Sequence, residues 1–234
     1  MDALKVLTAL GIKVKILSTL GTGRTLISKG FLTQAKQHVK MLVDEISLVD
    51  PEGKLPVIGL EPSEVYTFKD EVIDLLPNNM YVAALANRAF MIDEYLIRPG
   101  KDGILRMSQY SPKKVIDELG TNVLLHGHCY QKAQPPARDG FPTGVAATAA
   151  TLEYTGYPVK VIDDGCCGMA GAFGYEHEHY DVSMEVGELA LLPAVRESES
   201  STIAAAGISC QSQILDATGR KAFHPISLLA RLLD

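Results

Sequence analysis

Apolar positions recur along the first half of the chain with the spacing of helices and of short strands. Residues 2–10 predict the end of a helix, and residues 13–18 (KVKILS) predict a short strand. From Ser28 to Val49 the apolar positions follow helical spacing, and they are Phe31, Ala35, Val39, Leu42, Val43 and Ile46. This pattern predicts a long amphipathic helix.

The first half then continues with one apolar run and two further helical patterns. Residues 55–60 (LPVIGL) predict a buried parallel strand. Helices are predicted near residues 63–76 and 80–97. The run Pro99-Gly100-Lys101-Asp102-Gly103 is rich in turn-forming residues and marks the best domain boundary in the chain.

The second half repeats the alternation of strands and helices. Strands are predicted at residues 123–127, 159–163 and 202–207, and helices at residues 144–156, 183–197, 211–217 and 225–233. Strands that alternate with helices predict a parallel sheet covered by helices on both faces. We therefore predict an α/β fold of two tandem modules, residues 1–103 and 104–234.

The two modules are similar in order, and GTGRTLISKG in the first stands where GCCGMAGAFG stands in the second. The first module opens with a helix, whereas a parallel sheet module normally opens with a strand. We therefore expect the first module to be incomplete at its N-terminus and the chain to be part of something longer. A natural N-terminus with a smaller sheet is the alternative.

All four cysteines of the chain lie in the second module, each just after a predicted strand. Cys129 follows residues 123–127, Cys166 and Cys167 follow 159–163, and Cys210 follows 202–207. Sites in open α/β sheets form outside the carboxyl ends of the strands, so the thiols are expected at one edge. Soft thiolates select iron–sulfur clusters, zinc or copper(I). The alternative is that these cysteines are simply buried apolar residues with no role as ligands.

Glycines and histidines surround these cysteines. Gly168 opens the run GMAGAFG, where glycine permits a close backbone approach and turns N–H groups toward a thiolate. His126 and His128 precede Cys129, and His224 starts the last helix. These three histidines are candidates for alternative ligands or for hydrogen bonds to the ligands. Surface or hydrogen-bonded histidine is the ordinary interpretation of each one alone.

The charge and composition of the chain limit which classes of partner and which compartment are expected. The net charge of −6 and the lack of a basic stripe argue against nucleic acid. The sequence contains no run of about 18 or more apolar residues, so no transmembrane segment is predicted. The N-terminus lacks the layout of a signal peptide, and four cysteines are too few for a disulfide scaffold, so a reducing, cytoplasmic compartment is expected.

Several segments of the second module resemble a known family: LLHGHCYQKA, VIDDGCCGMAGAFGYEHEHYDVSMEVGELALLPAV, GISCQSQI and FHPISLLARLL. They are similar to the C-terminal cysteine-rich (CCG) region of FAD-linked oxidase/iron–sulfur oxidoreductase fusion proteins. The iron–sulfur component of glycolate oxidase and, more distantly, the CCG-containing component of heterodisulfide reductase are also similar. The resemblance reaches the first module through GRTLISKGFLTQAK and GLEPSEVYTFKDE.

The resemblance implies an electron-transfer role. Such fusions pass electrons from a flavin that oxidises a 2-hydroxy acid, of lactate or glycolate type, through iron–sulfur centres to an acceptor. FAD is then expected only on a partner domain or subunit, and the isolated chain is expected to be inactive. Four cysteines match a 4Fe–4S cluster with one thiolate per iron.

The chain departs from the family pattern at three places. Gly21-Thr22-Gly23 stands where many relatives carry a first CCG, and Glu64 stands where a cysteine is often found. The first module therefore contains no thiol and cannot hold such a cluster. Relatives of the heterodisulfide reductase type end in CxxC, whereas here Gln213 takes the second position, so we expect Gln213 outside the ligand set.

The same four cysteines are compatible with two other functions. Ligation by four thiolates suits tetrahedral zinc equally well, which predicts a structural assembly module. The adjacent Cys166 and Cys167 also suit a thiol/disulfide redox module, which predicts activity without metal.

Overall fold

A computed structural model describes residues 1–18, 21–112 and 122–234 of the chain, which form two compact units. The cysteine-free unit comprises Lys15–Met91, and the cysteine unit comprises Met1–Val14 together with Ile92–Asp234. These limits differ from those of the two modules predicted from the sequence, whose division after residue 103 stays a prediction.

Short helices and parallel strands make up both units, as an α/β fold requires. The described strands are β1 (Val57–Gly59), β2 (Ala89–Met91), β3 (Val123–His126), β4 (Val159–Val161), β5 (Thr202–Ala205) and β6 (Ala222–Phe223). The helices of the cysteine-free unit are α2 (Arg24–Ser28), α3 (Leu32–Val49), α4 (Pro62–Thr67), α5 (Glu71–Leu75) and α6 (Met80–Ala86). Those of the cysteine unit are α1 (Asp2–Ala9), α7 (Ile92–Leu96), α8 (Cys129–Lys132), α9 (Gly144–Tyr154), α10 (Tyr180–Glu188), α11 (Leu191–Glu197), α12 (Ile208–Thr218) and α13 (Pro225–Arg231).

The sheet of the cysteine unit has four described strands, in the order β4-β3-β5-β6, and all neighbours are parallel. Every residue of β3 is buried. Because successive side chains of a strand point to opposite faces, complete burial means that both faces of the sheet are covered. The core beside this sheet includes Leu124, Leu192 and Ile203 as well as Cys167 and Cys210.

In the cysteine-free unit, the described residues form one parallel pair, β1 with β2. Helix α3 packs its apolar face into the core of this unit, as its spacing predicts, through Ala35, Val39, Leu42, Val43 and Ile46. Phe31 lies before the helix and is exposed, so its assignment to the apolar face was wrong.

Other differences from the sequence-based elements concern short segments. Residues 13–18 are not a strand, and the helices predicted near 63–76, near 80–97 and at 183–197 are each interrupted. Residues 68–70 form a turn between α4 and α5, β2 replaces the middle of the helix predicted near 80–97, and the helix predicted at 183–197 is broken between α10 and α11. The two-residue strand β6 was missed because so short a run has no measurable period.

Helix α1 packs against α13 at the other end of the chain, with Val6 and Leu7 buried and Lys5 paired with Asp234. This long-range packing explains why the first residues belong to the cysteine unit. Of the helices in the described part of the chain, none combines the length and the apolar character that crossing a bilayer requires.

Candidate metal centre

The four cysteines lie on three loops that leave the carboxyl edge of the same parallel sheet. Cys129 begins α8 just after β3, Cys166 and Cys167 follow β4, and Cys210 lies in α12 after β5. Cys129 and Cys166 are half-buried, whereas Cys167 and Cys210 are buried, and all four are free thiols. The tertiary structure therefore brings the predicted residues together, because parallel strands deliver their following loops to one edge.

The four thiols form a series of pairwise contacts, from Cys129 to Cys166, from Cys166 to Cys167, and from Cys167 to Cys210. Hydrogen bonding from Cys129 and Cys167 lowers the pKa of Cys166, and hydrogen bonding from Cys167 also lowers the pKa of Cys210. The two donors show the reverse effect, since hydrogen bonding to Cys166 raises the pKa of both Cys129 and Cys167. Hydrogen bonding thus favours the thiolate at Cys166 and Cys210 and the thiol at Cys129 and Cys167. The thiolate is the form of cysteine that binds metals.

Gly168 allows the tight turn that follows the adjacent cysteines. Its φ is +99°, and a Cβ atom there would approach the carbonyl oxygen of Ser183 to 2.0 Å. Only glycine fits both conditions. The N–H of Gly168 donates to the sulfur of Cys166 at 3.3 Å, so the backbone itself supports a thiolate at this position.

His126 closes the buried side of the thiol cluster. Its Nδ1 lies 2.5 Å from Oδ2 of Asp164, and both side chains are 1% exposed. One ring nitrogen of His126 lies within 4.8 Å of the sulfurs of Cys167 and Cys210. Within the part of the chain that the structure describes, Nε2 of His126 has no hydrogen-bond partner.

Charge surrounds this ring. Burial lowers the pKa of His126, but the carboxylate of Asp164 and the thiolate of Cys210 outweigh burial and raise that pKa to about 9. Asp164 is itself held by Lys132, whose ammonium contacts the carboxylate and donates to the carbonyl oxygens of Asp164 and Gly165 at 2.7 Å.

The other two candidate histidines act as helix N-caps. Nδ1 of His128 accepts from the N–H of Tyr130 at 3.1 Å, at the start of α8. Nδ1 of His224 accepts from the N–H of Ile226 at 3.1 Å, at the start of α13. His128 nevertheless remains near the thiols, with Nδ1 at 3.8 Å from the sulfur of Cys129.

Gln213 is buried near the centre and bonded elsewhere. Its Nε2 donates to the carbonyl oxygen of Ser183 at 3.0 Å and to the Ser183 hydroxyl at 3.1 Å. These bonds join α12 to α10 and occupy the amide, so Gln213 helps to pack the loop around Gly168.

Sequence reasoning missed Asp164 and Lys132. Asp163-Asp164 lies just beyond β4, after Ile162, and precedes the cysteine pair. A carboxylate between an apolar strand and two cysteines was a usable signal for a charged partner of the site. Lys132 carried no comparable signal, because its contact with Asp164 depends on the pairing of β3 with β4.

The donor set fits a metal or an iron–sulfur centre. Four thiols, each in contact with at least one other, offer soft ligands, and His126, whose buried Nε2 lacks a partner among the described residues, lies close to two of them. Such ligands suit iron–sulfur clusters or zinc, and they do not suit magnesium or calcium, which prefer oxygen.

Comparison with known proteins finds similarity to dehydrogenases, although no protein-family model matches the chain. The chain is 25% identical over 232 residues to D-2-hydroxyglutarate dehydrogenase of Escherichia coli K12, covering 99% of this chain and 21% of that protein. It is 27% identical over 237 residues to one of the subunits of anaerobic glycerol-3-phosphate dehydrogenase from the same organism, covering 99% of this chain and 54% of that protein. D-2-hydroxyglutarate dehydrogenase of Pantoea ananatis is 23% identical over 99% of this chain.

The chain therefore spans about a fifth of the first dehydrogenase and about half of the glycerol-3-phosphate dehydrogenase subunit. The resemblance predicted from the cysteine segments is confirmed: along almost its whole length, the chain is a homologue of a part of larger oxidoreductase proteins.

Proposed function

We propose that the cysteine unit holds an iron–sulfur cluster, of 4Fe–4S type, through Cys129, Cys166, Cys167 and Cys210. The chain would then be the electron-transfer part of a flavin-dependent 2-hydroxy-acid oxidoreductase. One observation carries this proposal: three loops from one sheet edge bring four free thiols together, with contacts between Cys129 and Cys166, between Cys166 and Cys167, and between Cys167 and Cys210.

The protein's own residues would have distinct tasks at such a centre. The cysteines would hold the iron atoms, and the N–H of Gly168 would support the sulfur of Cys166. The buried Cys167 and Cys210 would shield one side from water, while the half-buried Cys129 and Cys166 face outward. An iron–sulfur cluster supplies one-electron transfer, tuned by hydrogen bonds to sulfur and by exposure.

The relatives guide the choice of substrate and partner. One relative is named for D-2-hydroxyglutarate, a 2-hydroxy acid, and another for glycerol 3-phosphate. We propose a hydroxy-acid substrate that is oxidised on an FAD-binding partner domain or subunit, with a separate electron acceptor downstream. Free thiols and a redox cluster suit the reducing, cytoplasmic compartment expected from the sequence.

Metal analysis tests the proposal directly. Protein purified or reconstituted without oxygen should contain iron and acid-labile sulfide and should absorb broadly in the visible region. Stoichiometric zinc without iron after reconstitution with iron and sulfide under reducing conditions would overturn it. A flavin assay on the same sample tests whether FAD is bound only by a partner domain or subunit. The isolated chain should then carry no flavin and oxidise no hydroxy acid.

A structural zinc site is the second candidate. The close group of His126, Cys167 and Cys210 favours it, because imidazole and thiolate together suit zinc. Zinc-loaded protein would be colourless and would show no change on reduction. Thiol/disulfide exchange by Cys166 and Cys167 is separable too, because it predicts activity in metal-free protein.

A further inference from the structure

We propose that His126 donates a hydrogen bond from Nε2 to sulfur at the Cys167–Cys210 side of the cluster, and that Asp164 and Lys132 position its ring for this contact. The inference rests on the proposed iron–sulfur function and adds residues that tune the centre rather than hold it.

The unpartnered nitrogen is the first argument. Nε2 of His126 is buried and has no hydrogen-bond partner among the described residues. Buried polar atoms without partners are rare and costly in native proteins, so each one needs an explanation. Sulfur held at Cys167 and Cys210, within 4.8 Å of the ring, provides the missing acceptor.

The surroundings favour donation over ligation. Acceptors lie on both sides of the ring, with the Asp164 carboxylate at Nδ1 and the sulfurs of Cys167 and Cys210 on the other side. A ring that donates from both nitrogens satisfies both sides. Ligation would need a bare Nε2 and would add a fifth protein ligand, whereas four cysteines already give each iron of a cubane one thiolate.

Asp164 and Lys132 make this arrangement rigid. The Asp164 carboxylate is 1% exposed and lies between the His126 ring and the Lys132 ammonium. Lys132 also donates to two backbone carbonyl oxygens of the loop before Cys166. The ring orientation is therefore coupled to the loop that carries the adjacent cysteines, which is how outer contacts orient and tune a metal centre.

The expected consequence is a higher reduction potential. A reduced cluster carries one more negative charge, and a hydrogen bond to its sulfur stabilises that charge. Removing the donor should therefore make reduction harder. We expect about a tenfold change in the one-electron reduction equilibrium, which corresponds to about 59 mV for one electron.

Substitution of His126 by leucine, which has no hydrogen-bond donor, tests the proposal in the full chain. His126→Leu should keep the iron and sulfide content of the wild type and shift the midpoint potential to lower values, as followed by dye-mediated titration with absorbance and electron paramagnetic resonance. Asp164→Asn keeps the histidine but weakens its anchor, so a smaller shift in the same direction is expected. His177→Leu, at an exposed histidine outside the site, is the matched control and should leave the potential unchanged.

The outcomes separate this inference from the proposed function. If both variants keep their iron and the wild-type potential, His126 does not tune the cluster. If folded His126→Leu loses its iron, the residue is a ligand and the inference is wrong. Should His126→Leu fail to fold, Asp164→Asn decides the question by its potential. Wild-type protein that takes up no iron would instead refute the proposed function.

Discussion

Both units contain a parallel strand pair joined by helix, but the residues that follow the first strand differ in chemistry. In the cysteine-free unit α4, α5 and α6 lie between β1 and β2, and in the cysteine unit α12 lies between β5 and β6, with parallel strands in both cases. Glu64 stands as far beyond the end of β1 at Gly59 as Cys210 stands beyond the end of β5 at Ala205.

The partner loops are also comparable. Gly21-Thr22-Gly23 takes the place of Cys166-Cys167-Gly168, and Gly23 and Gly168 both have positive φ, of 76° and 99°. The Oγ1 of Thr22 donates to Oε2 of Glu64 at 2.6 Å, and the N–H of Thr22 donates to the same oxygen. Cys167 and Cys210 make the corresponding contact between two thiols.

The difference teaches how one loop arrangement can be stabilised in two ways. A carboxylate finds its partners within the protein, so the cysteine-free unit completes its loop with hydrogen bonds alone. Closely packed thiolates repel one another and need a cation or a cluster between them. We therefore expect metal to matter for the cysteine unit only.

The largest effect that this comparison predicts is the loss of the cluster from the cysteine unit. Cys210→Ser should lose most of its iron and its broad visible absorbance, because a hydroxyl is a poor substitute for a soft thiolate. The matched variant Glu64→Gln should keep both. Iron analysis and absorption spectra provide the measurement. A spectrum of Cys210→Ser that equals the wild-type spectrum would contradict the assignment of Cys210 as a cluster ligand.

Two buried carboxylates extend the comparison to acid stability. Burial raises the pKa of Asp50 in the cysteine-free unit, but N–H donors from Leu55 and Lys54 and the Arg88 guanidinium outweigh burial and lower it. In the cysteine unit, burial raises the pKa of Asp93 to about 6, despite a hydrogen bond from Thr148.

Asp93 should therefore weaken the fold as the pH rises. Between pH about 4 and 6 the folded state holds the Asp93 proton more tightly than the unfolded state does, so the free energy of unfolding falls by about 2–3 kcal/mol across this window. Asp93→Asn should remove that decline, as measured by urea unfolding at a series of pH values. An unchanged slope in the variant would show that Asp93 ionises normally.

A smaller effect is expected at Glu64. Glu64→Gln keeps the shape but weakens the acceptor for Thr22, so the cysteine-free unit should lose about 1–2 kcal/mol. Hydrogen exchange should then accelerate at amides near Thr22. Equal exchange in wild type and variant would mean that the carboxylate does not hold this loop.

The smallest spectral effect is expected at Gln213. Gln213→Ala removes the hydrogen bonds to Ser183 and should cost about 1–3 kcal/mol, because buried acceptors lose their partner. The cluster spectrum should stay nearly unchanged, since the amide is bound to Ser183. Bleaching of this variant would show that Gln213 belongs to the ligand set.

The amino-acid sequence alone determined the α/β class and the edge at which the cysteines meet. Alternating strands and helices imply a parallel sheet, and residues that follow parallel strands necessarily share an edge. Hence Cys129, Cys166 and Cys210 could be placed together without coordinates. The periodicity of α3 likewise placed its buried face, because a helix repeats its orientation over many residues.

Only the tertiary structure decided which histidine faces the thiols and what holds it. His126, His128 and His224 all follow or end strands at the same edge, so position along the chain does not rank them. Their roles differ because His128 and His224 cap helices, whereas the Asp164 carboxylate orients His126. The packing of α1 on α13 depended equally on contacts between distant residues, which no local pattern encodes.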